Sequence, residues 1–152
     1  TKLEDLLEEI ISSFKETSSK KIELNLENEK NNFLISRSPE LIYGLRNFIG
    51  NAIKFSKSIV EIIVIDNDDQ IKIKINDDGP GFPDDVKEII GEPYIRSKSS
   101  HVSSNSGTGL GTFLGKTLLE RKFANLEFTN DKKLGGASVI ISWKVADLNS
   151  IV

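Results

Sequence analysis

The sequence predicts a two-layer α/β sandwich of the α+β kind: a mixed, mainly antiparallel sheet of about five strands, with about three helices on one face. Three observations predict it. Apolar residues recur at helical spacing in separate segments, other segments alternate apolar and polar residues, and the two kinds are mixed without the strict βαβ alternation of a parallel sheet. With 152 residues and 38% hydrophobic content, the chain suits a single domain with a core of its own.

The elements follow in order. Leu3, Leu6, Leu7, Ile10, Ile11 and Phe14 define an amphipathic helix over roughly residues 2–16. "KIELNL" puts Ile22, Leu24 and Leu26 on one strand face, and "NFLIS" is a candidate hairpin partner. Ser38-Pro39-Glu40 is a helix start, with Ser as N-cap, Pro in the first turn and an acid at the positive dipole end. The helix it opens, "ELIYGLRNFIGNAIKFS", ends near Ser56. "SIVEIIVID" and "QIKIKIND" are strands around the polar turn Asn67–Asp69, with Ile71, Ile73 and Ile75 facing inward. "PDDVKEIIG" reads as a short helix, and residues 92–108 as a long Ser-rich loop of the length used for lids. A helix from about Leu110 to Lys122 and the strands "NLEFTN" and "ASVIISW" complete the domain.

Bulk composition excludes several functions. A net charge of -3 with clustered basic residues lacking argues against a nucleic-acid surface. The chain has no apolar run of the roughly 18 residues that a membrane span needs, and no signal segment. No Cys is present, which removes disulfides, Cys-ligated zinc and a thiol nucleophile and suits a reducing compartment. A single His argues against a His-based metal site. The opening "TKLEDLLEEI" lacks a Met, so a piece of a longer protein is expected.

"GTGLGTFLGKT", residues 107–117, superficially matches a phosphate-binding P-loop through Gly115-Lys116-Thr117. A P-loop needs its first glycine at position 110, which is Leu, and it follows a buried strand rather than a polar loop. A dinucleotide fingerprint also fails, because the sixth residue is Thr112 or Leu114 instead of Gly. What remains is Gly-x-Gly-x-Gly entering a helix. It is either a flexible loop with a glycine N-cap, or a place where bare backbone N–H groups and a helix dipole meet an anion.

Two further stretches carry chemistry. "INDDGPGF" ends a strand with Asp77, Gly79 and Gly81. It is either a turn, or an acceptor-only carboxylate that pairs with the exocyclic amine of adenine and rejects guanine's carbonyl, with glycines letting the backbone close on the base. "LRNFIGNAIKFS" places Asn47, Asn51 and Lys54 on one face of an otherwise apolar helix. That stripe is either solvated or lines a cavity, where an Asn oxygen would suit Mg²⁺ that keeps waters and phosphates as its other ligands.

Together, the order of these stretches resembles the ATP-binding catalytic domain of sensor histidine kinases, in the superfamily of gyrase, chaperone, kinase and mismatch-repair ATPases. The resemblance covers the chain from about residue 2 to Trp143 and implies a Bergerat-type ATP-binding fold over 1–152, with 92–108 as ATP lid. It implies ATP and Mg²⁺ as cofactors. Asn51 matches the Mg²⁺-binding Asn of the N box, Asn47 and Lys54 its phosphate-side companions, and Phe55 an aromatic beside the nucleotide. Asp77, Gly79 and Gly81 match the adenine-binding glycine box. Gly107, Gly109 and Gly111, with Thr108 and Leu110 between them, match the second glycine box at the phosphates. "GEPYIRSKSS" is similar to the F box and lid start, with Tyr94 at the usual Phe and Arg96 at a basic position able to reach the γ-phosphate. "LGGASV" resembles the last glycine box, with Ala137 where Thr or Ser is common, and "GTFLGKTLLE" looks most like kinases of the RegB type.

ATP-hydrolysing relatives carry a Glu four residues before the Mg²⁺ Asn. Here that residue is Asn47, which cannot act as a general base, and Glu40 lies roughly 16 Å along the helix from Asn51. The resemblance therefore implies a phosphoryl donor, with Asn47 and Arg96 as the residues nearest the transferred group. It also implies a phosphoacceptor His on an upstream domain, since His101 sits in the lid without the neighbouring acid of that motif. The expected partners are that domain and a response regulator. The expected setting is cytoplasmic, with the fragment monomeric, the intact kinase a homodimer, and this fragment touching neither nucleic acid nor membrane. A Ser/Thr kinase of the same superfamily and a non-catalytic ATP sensor are the alternatives.

Overall fold

In a computed structural model of the chain, residues 2–27, 35, 37–67, 69–82 and 109–149 are described. The elements are α1 (Leu3–Lys15), β1 (Lys21–Glu27), α2 (Pro39–Phe55), β2 (Ile59–Asp66), β3 (Gln70–Asp77), α3 (Gly109–Glu120), β4 (Asn125–Asn130), β5 (Ala137–Lys144) and α4 (Val145–Asn149). The short α4 is the one element among these that the sequence reading did not anticipate. Of the expected "NFLIS" partner strand only Ile35 is described, buried in the core; the "PDDVKEIIG" helix and the lid, including His101, fall outside the described residues.

The strands form one sheet in the order β1-β2-β3-β5-β4. Only β1 and β2 run parallel, joined through α2, and the other three pairings are antiparallel. The register follows the two-residue period of a pleated strand. Val60, Ile62, Ile71, Ile73, Ile75, Ile141 and Trp143 turn to the helices and are buried with Leu6, Leu7, Leu41, Leu45, Phe48 and Ile49. On the opposite face, Glu23, Lys72 and Lys74 are partly exposed, and the buried carboxylate of Glu61 accepts from Asn25 Nδ2 at 3.2 Å. The mixed sheet with its helical layer on one face is the architecture the sequence predicted.

Local chemistry sets the helix ends. The Ser38 hydroxyl accepts from the backbone N–H of Leu41 at 3.2 Å, and Pro39 occupies the first turn, so α2 starts as read from the sequence. At its other end, Lys20 Nζ donates to the carbonyls of Ile53 (2.5 Å), Lys54 (3.3 Å) and Ser56 (2.7 Å). A cation at a helix C-terminus satisfies carbonyls that have no intrahelical partner and opposes the negative end of the dipole.

α2 and α3 lie side by side and antiparallel. Gly44 faces Leu119, Asn47 faces Gly115, and Glu40 pairs with Lys122 at 3.7 Å, so positions fall along α3 as they rise along α2. The N-terminus of α3 is thereby brought to the C-terminal half of α2.

Candidate nucleotide site

Three chain segments converge at the end of β3. Asp77, the last residue of that strand, is buried, and its Oδ1 accepts from the backbone N–H groups of Gly79 (2.8 Å) and Ala137 (3.2 Å). The carboxylate thus ties the loop after β3 to the first residue of β5. Burial pushes its pKa above the usual carboxylate range. The two N–H bonds work against that shift, the neighbouring Asp78 adds to it, and Lys20 opposes it.

Close approach explains the glycines around this acid. A Cβ on Gly136 would overlap the backbone O and Oδ1 of Asp77 and stand 2.6 Å from Gly79 N. A Cβ on Gly79 would overlap the backbone carbonyl oxygen of Phe55, the last residue of α2. Gly81 adopts φ +79°, a conformation that L side chains rarely adopt. These residues bring the end of α2, the loop after β3 and the start of β5 into contact without intervening side chains.

One turn before Phe55, Asn51 Nδ2 donates to Asn47 Oδ1 at 3.3 Å. Both amides are half-buried. Engaging the amide nitrogen leaves the Asn51 carbonyl oxygen, the hard-cation ligand of this side chain, as its other polar end. Among the described residues, no cluster of three or more His, Asp or Glu could itself hold a metal. A cation here would need phosphate and water oxygens to complete its shell, which suits Mg²⁺ delivered with a nucleotide. Lys54 is exposed, with its ammonium over the half-buried Phe55 ring at 5.6 Å from the centroid.

The P-loop-like "GKT" resolves into structural roles. A Cβ on Gly115 would sit 3.2 Å from both the Asn47 carboxamide and the Phe48 ring, so this glycine lets α3 approach α2. Lys116 pairs with Glu120 at 3.3 Å, one turn along the helix. The true helix start is upstream: Gly109, Leu110 and Gly111 form the first turn of α3, whose N–H groups have no intrahelical acceptors.

Of the residues proposed from sequence, Asp77, Gly79 and Phe55 come together directly, Asn47 and Asn51 are joined on α2, and Gly109–Gly111 belong to the helix beside them. Gly81 lies on the same loop. Tyr94, Arg96, Gly107 and Thr108 lie outside the described residues. The sequence reading missed three supports. Lys20 caps α2. Asn130 donates to and accepts from Phe82. Asp78 binds the turn before β2, accepting from Lys57 N (2.8 Å), Ser58 N (3.1 Å) and the Ser58 hydroxyl (2.8 Å). Only "DD" at the strand end hinted at the last of these. Lys20 and Asn130 act over separations in sequence that no local motif marks.

The chain is similar to known proteins over most of its length. Residues 36–147 match the family described as histidine kinase-, DNA gyrase B- and HSP90-like ATPase. The sensor histidine kinase RegB of Cereibacter sphaeroides is 44% identical over 102 residues, covering 64% of this chain and 22% of RegB. Histidine protein kinase SaeS of Staphylococcus aureus is 29% identical over 150 residues, covering 94% of this chain and 42% of SaeS. The chain therefore spans less than half the length of these curated relatives. Among solved structures, the catalytic domain of histidine kinase ThkA, in a nucleotide-free form, superposes with a TM-score of 0.76 at 20% identity, over 95% of this chain and 94% of that one. Full-length ShkA in complex with AMPPNP superposes with a TM-score of 0.76 at 21% identity, over 94% of this chain and 30% of that one.

Proposed function

Because the chain belongs to the histidine kinase-, DNA gyrase B- and HSP90-like ATPase family, we propose that it is the ATP-binding catalytic domain of a sensor histidine kinase. It would hold Mg·ATP for transfer of the γ-phosphoryl group to a histidine on an adjacent domain. The observation that carries this reading is the buried Asp77 carboxylate, walled by Gly79 and Gly136 where α2 ends. A buried acceptor-only group flanked by glycines suits a flat base that offers an amine.

The roles follow from position. Asp77 accepts a hydrogen bond from the adenine amine, and Phe55 borders the base. Asn47 orients the Asn51 carboxamide, whose oxygen would hold Mg²⁺. The bound metal would neutralise phosphate charge. The first turn of α3 presents N–H groups and the positive end of its dipole to the phosphates. Tyr94, Arg96, Gly107, Thr108 and Lys54 are assigned to the lid and phosphate side of the site by resemblance. Rate enhancement then rests on positioning and charge stabilisation.

Transfer rather than hydrolysis is favoured by the residues beside Asn51. Asn47 cannot take a proton from water, and Glu40 is engaged by Lys122 near the far end of α2. Among the described residues, no helix is long and apolar enough to cross a membrane. A cytoplasmic setting, a response regulator as downstream partner, and a homodimeric intact kinase complete the proposal.

The test has two parts. Calorimetric titration should show Mg·ATP binding with strong preference over Mg·GTP. Incubation with a phosphoacceptor domain supplied in trans should yield acid-labile, base-stable phosphohistidine. Absence of ATP binding would defeat the reading. Phosphoserine as the product would redirect it to the Ser/Thr kinases of the same superfamily.

A further inference from the structure

We infer that Asn130 is a positioning residue for the adenine subsite: its side chain stands in for a neighbouring strand and holds the Gly79–Phe82 loop in place. The inference rests on the proposed nucleotide site and adds a residue that lies outside its motifs.

Asn130 is the last residue of β4, 48 positions from the residue it holds. Its Oδ1 accepts from the backbone N–H of Phe82 at 2.7 Å, and its Nδ2 donates to the backbone carbonyl of Phe82 at 3.1 Å. A strand neighbour bonds a residue in the same two-way manner. The amide orientation is dictated by its partners, because an N–H can only donate and a carbonyl can only accept. Asn is the shortest side chain with both functions on one planar group. Asp offers two acceptors, and Ser lacks the span.

The side chain is not needed for the hairpin it adjoins. The turn between β4 and β5 closes through Asp131 N to Gly136 O (2.7 Å) and Gly135 N to Asp131 O (2.9 Å), with Asp131 Oδ2 accepting from Leu134 N (2.9 Å). Both polar ends of this exposed residue are spent on the loop instead. A Cβ on Gly81 would stand 2.8 Å from Asn130 Oδ1, so the clamp fits closely over the loop's positive-φ residue. Phe82 also sets its ring edge-on to Phe128 of β4 at 6.1 Å, and Phe128 lies 5.9 Å from Phe48 of α2.

The clamp and the acid are also linked through the sheet. Asn130 pairs with Ala137, and the Ala137 N–H donates to Asp77 Oδ1. The loop that leaves Asp77 is thus fastened at its start by Gly79 and Ala137 and at its end by Asn130. Loosening the far end frees the glycine wall against which a purine must lie to meet Asp77. That wall matters for recognising the base and hardly at all for binding phosphates.

The experiment compares Asn130→Asp and Asn130→Ala with the unaltered chain. It measures Mg·ATP and Mg·GTP affinity by calorimetry, thermal midpoint, and amide exchange at Phe82. The expected result is a fall in ATP affinity of about 5- to 20-fold with GTP affinity changing less than about 2-fold, faster exchange at Phe82, and a midpoint shift of no more than a few degrees. Asn130→Asp is near-isosteric and decides the matter if Asn130→Ala fails to fold. Unchanged ATP affinity, a parallel loss of ATP and GTP, or an Asn130→Asp variant too unstable to titrate would overturn the inference. Asp77→Asn is the control. If it loses ATP while the Asn130 variants keep it, only the clamp fails, and if it too keeps ATP, the adenine reading fails.

Discussion

Gly136 lies so close to Asp77 that no side chain fits between them: a Cβ there would overlap both the backbone oxygen and Oδ1 of the acid. The contact comes from the residue just before β5, 59 positions away in sequence, and it sets how the carboxylate is held. Gly136→Ala should therefore displace Asp77 and Gly79 together. We expect destabilisation of about 1–3 kcal/mol in chemical denaturation and loss of ATP binding by an order of magnitude or more in titration. A variant with native stability and affinity would show that this wall yields freely.

Asp77→Asn should leave the fold intact and lower ATP affinity about 100-fold, as expected when an acceptor-only group becomes a donor facing an amine. The pH dependence follows from the raised pKa. The folded carboxyl holds its proton more tightly than the unfolded chain does, so its contribution to stability is present at acid pH and declines as pH rises through the folded value. Nucleotide binding runs the other way, because only the ionised carboxylate lacks a proton of its own. ATP affinity should fall as pH drops, beginning above the range of an ordinary aspartate, in calorimetry across a pH series.

Asp78, next in sequence, behaves oppositely. Burial works to raise its pKa, but hydrogen bonds from the Ser58 backbone and hydroxyl and from the N–H groups of Ile59 and Lys57 outweigh it and hold the carboxyl well below the usual range. A depressed pKa contributes stability that is full above the unfolded value near 4 and lost as pH falls below it. Asp78→Ala should cost about 1–2 kcal/mol at pH 7, allowing for solvent screening at this partly exposed position, and the difference from the unaltered chain should shrink in denaturation at about pH 3. A gap that persists unchanged in acid would contradict the ionic origin.

Phe123 closes α3 in a left-handed conformation (φ 70°), and the residue is 57% exposed. The Ala124 N–H reaches Leu119 O at 3.1 Å and the Phe123 N–H reaches Glu120 O at 3.0 Å, the bonding of a Schellman cap whose usual residue is Gly. Phe123→Gly should relieve a backbone cost without removing a buried contact. Thermal denaturation should show a gain of about 0.5–1 kcal/mol.

Helices, strands and the sheet's buried face were legible because local patterns encode them. The isoleucines of β3 alternate through Ile71, Ile73 and Ile75, and Ser38-Pro39 announces α2. Asp77 was marked by its place at a strand end before glycines, and Asn47 and Asn51 as amides on an otherwise apolar helix. The "GKT" tripeptide misleads by chemistry alone, since only the antiparallel contact with α2 shows Gly115 meeting Asn47 and Lys116 turning to Glu120.

By itself, then, the sequence determined the fold class, the order of its main elements and the residue types of the candidate site, because periodicity, capping and side-chain chemistry act over a few residues. Tertiary structure alone decided which distant groups hold them: Lys20 on the end of α2, Gly136 against Asp77, Asn130 on Phe82. Each joins segments far apart along the chain. Such contacts arise only when strand order and register bring two backbones together, and no local pattern specifies that.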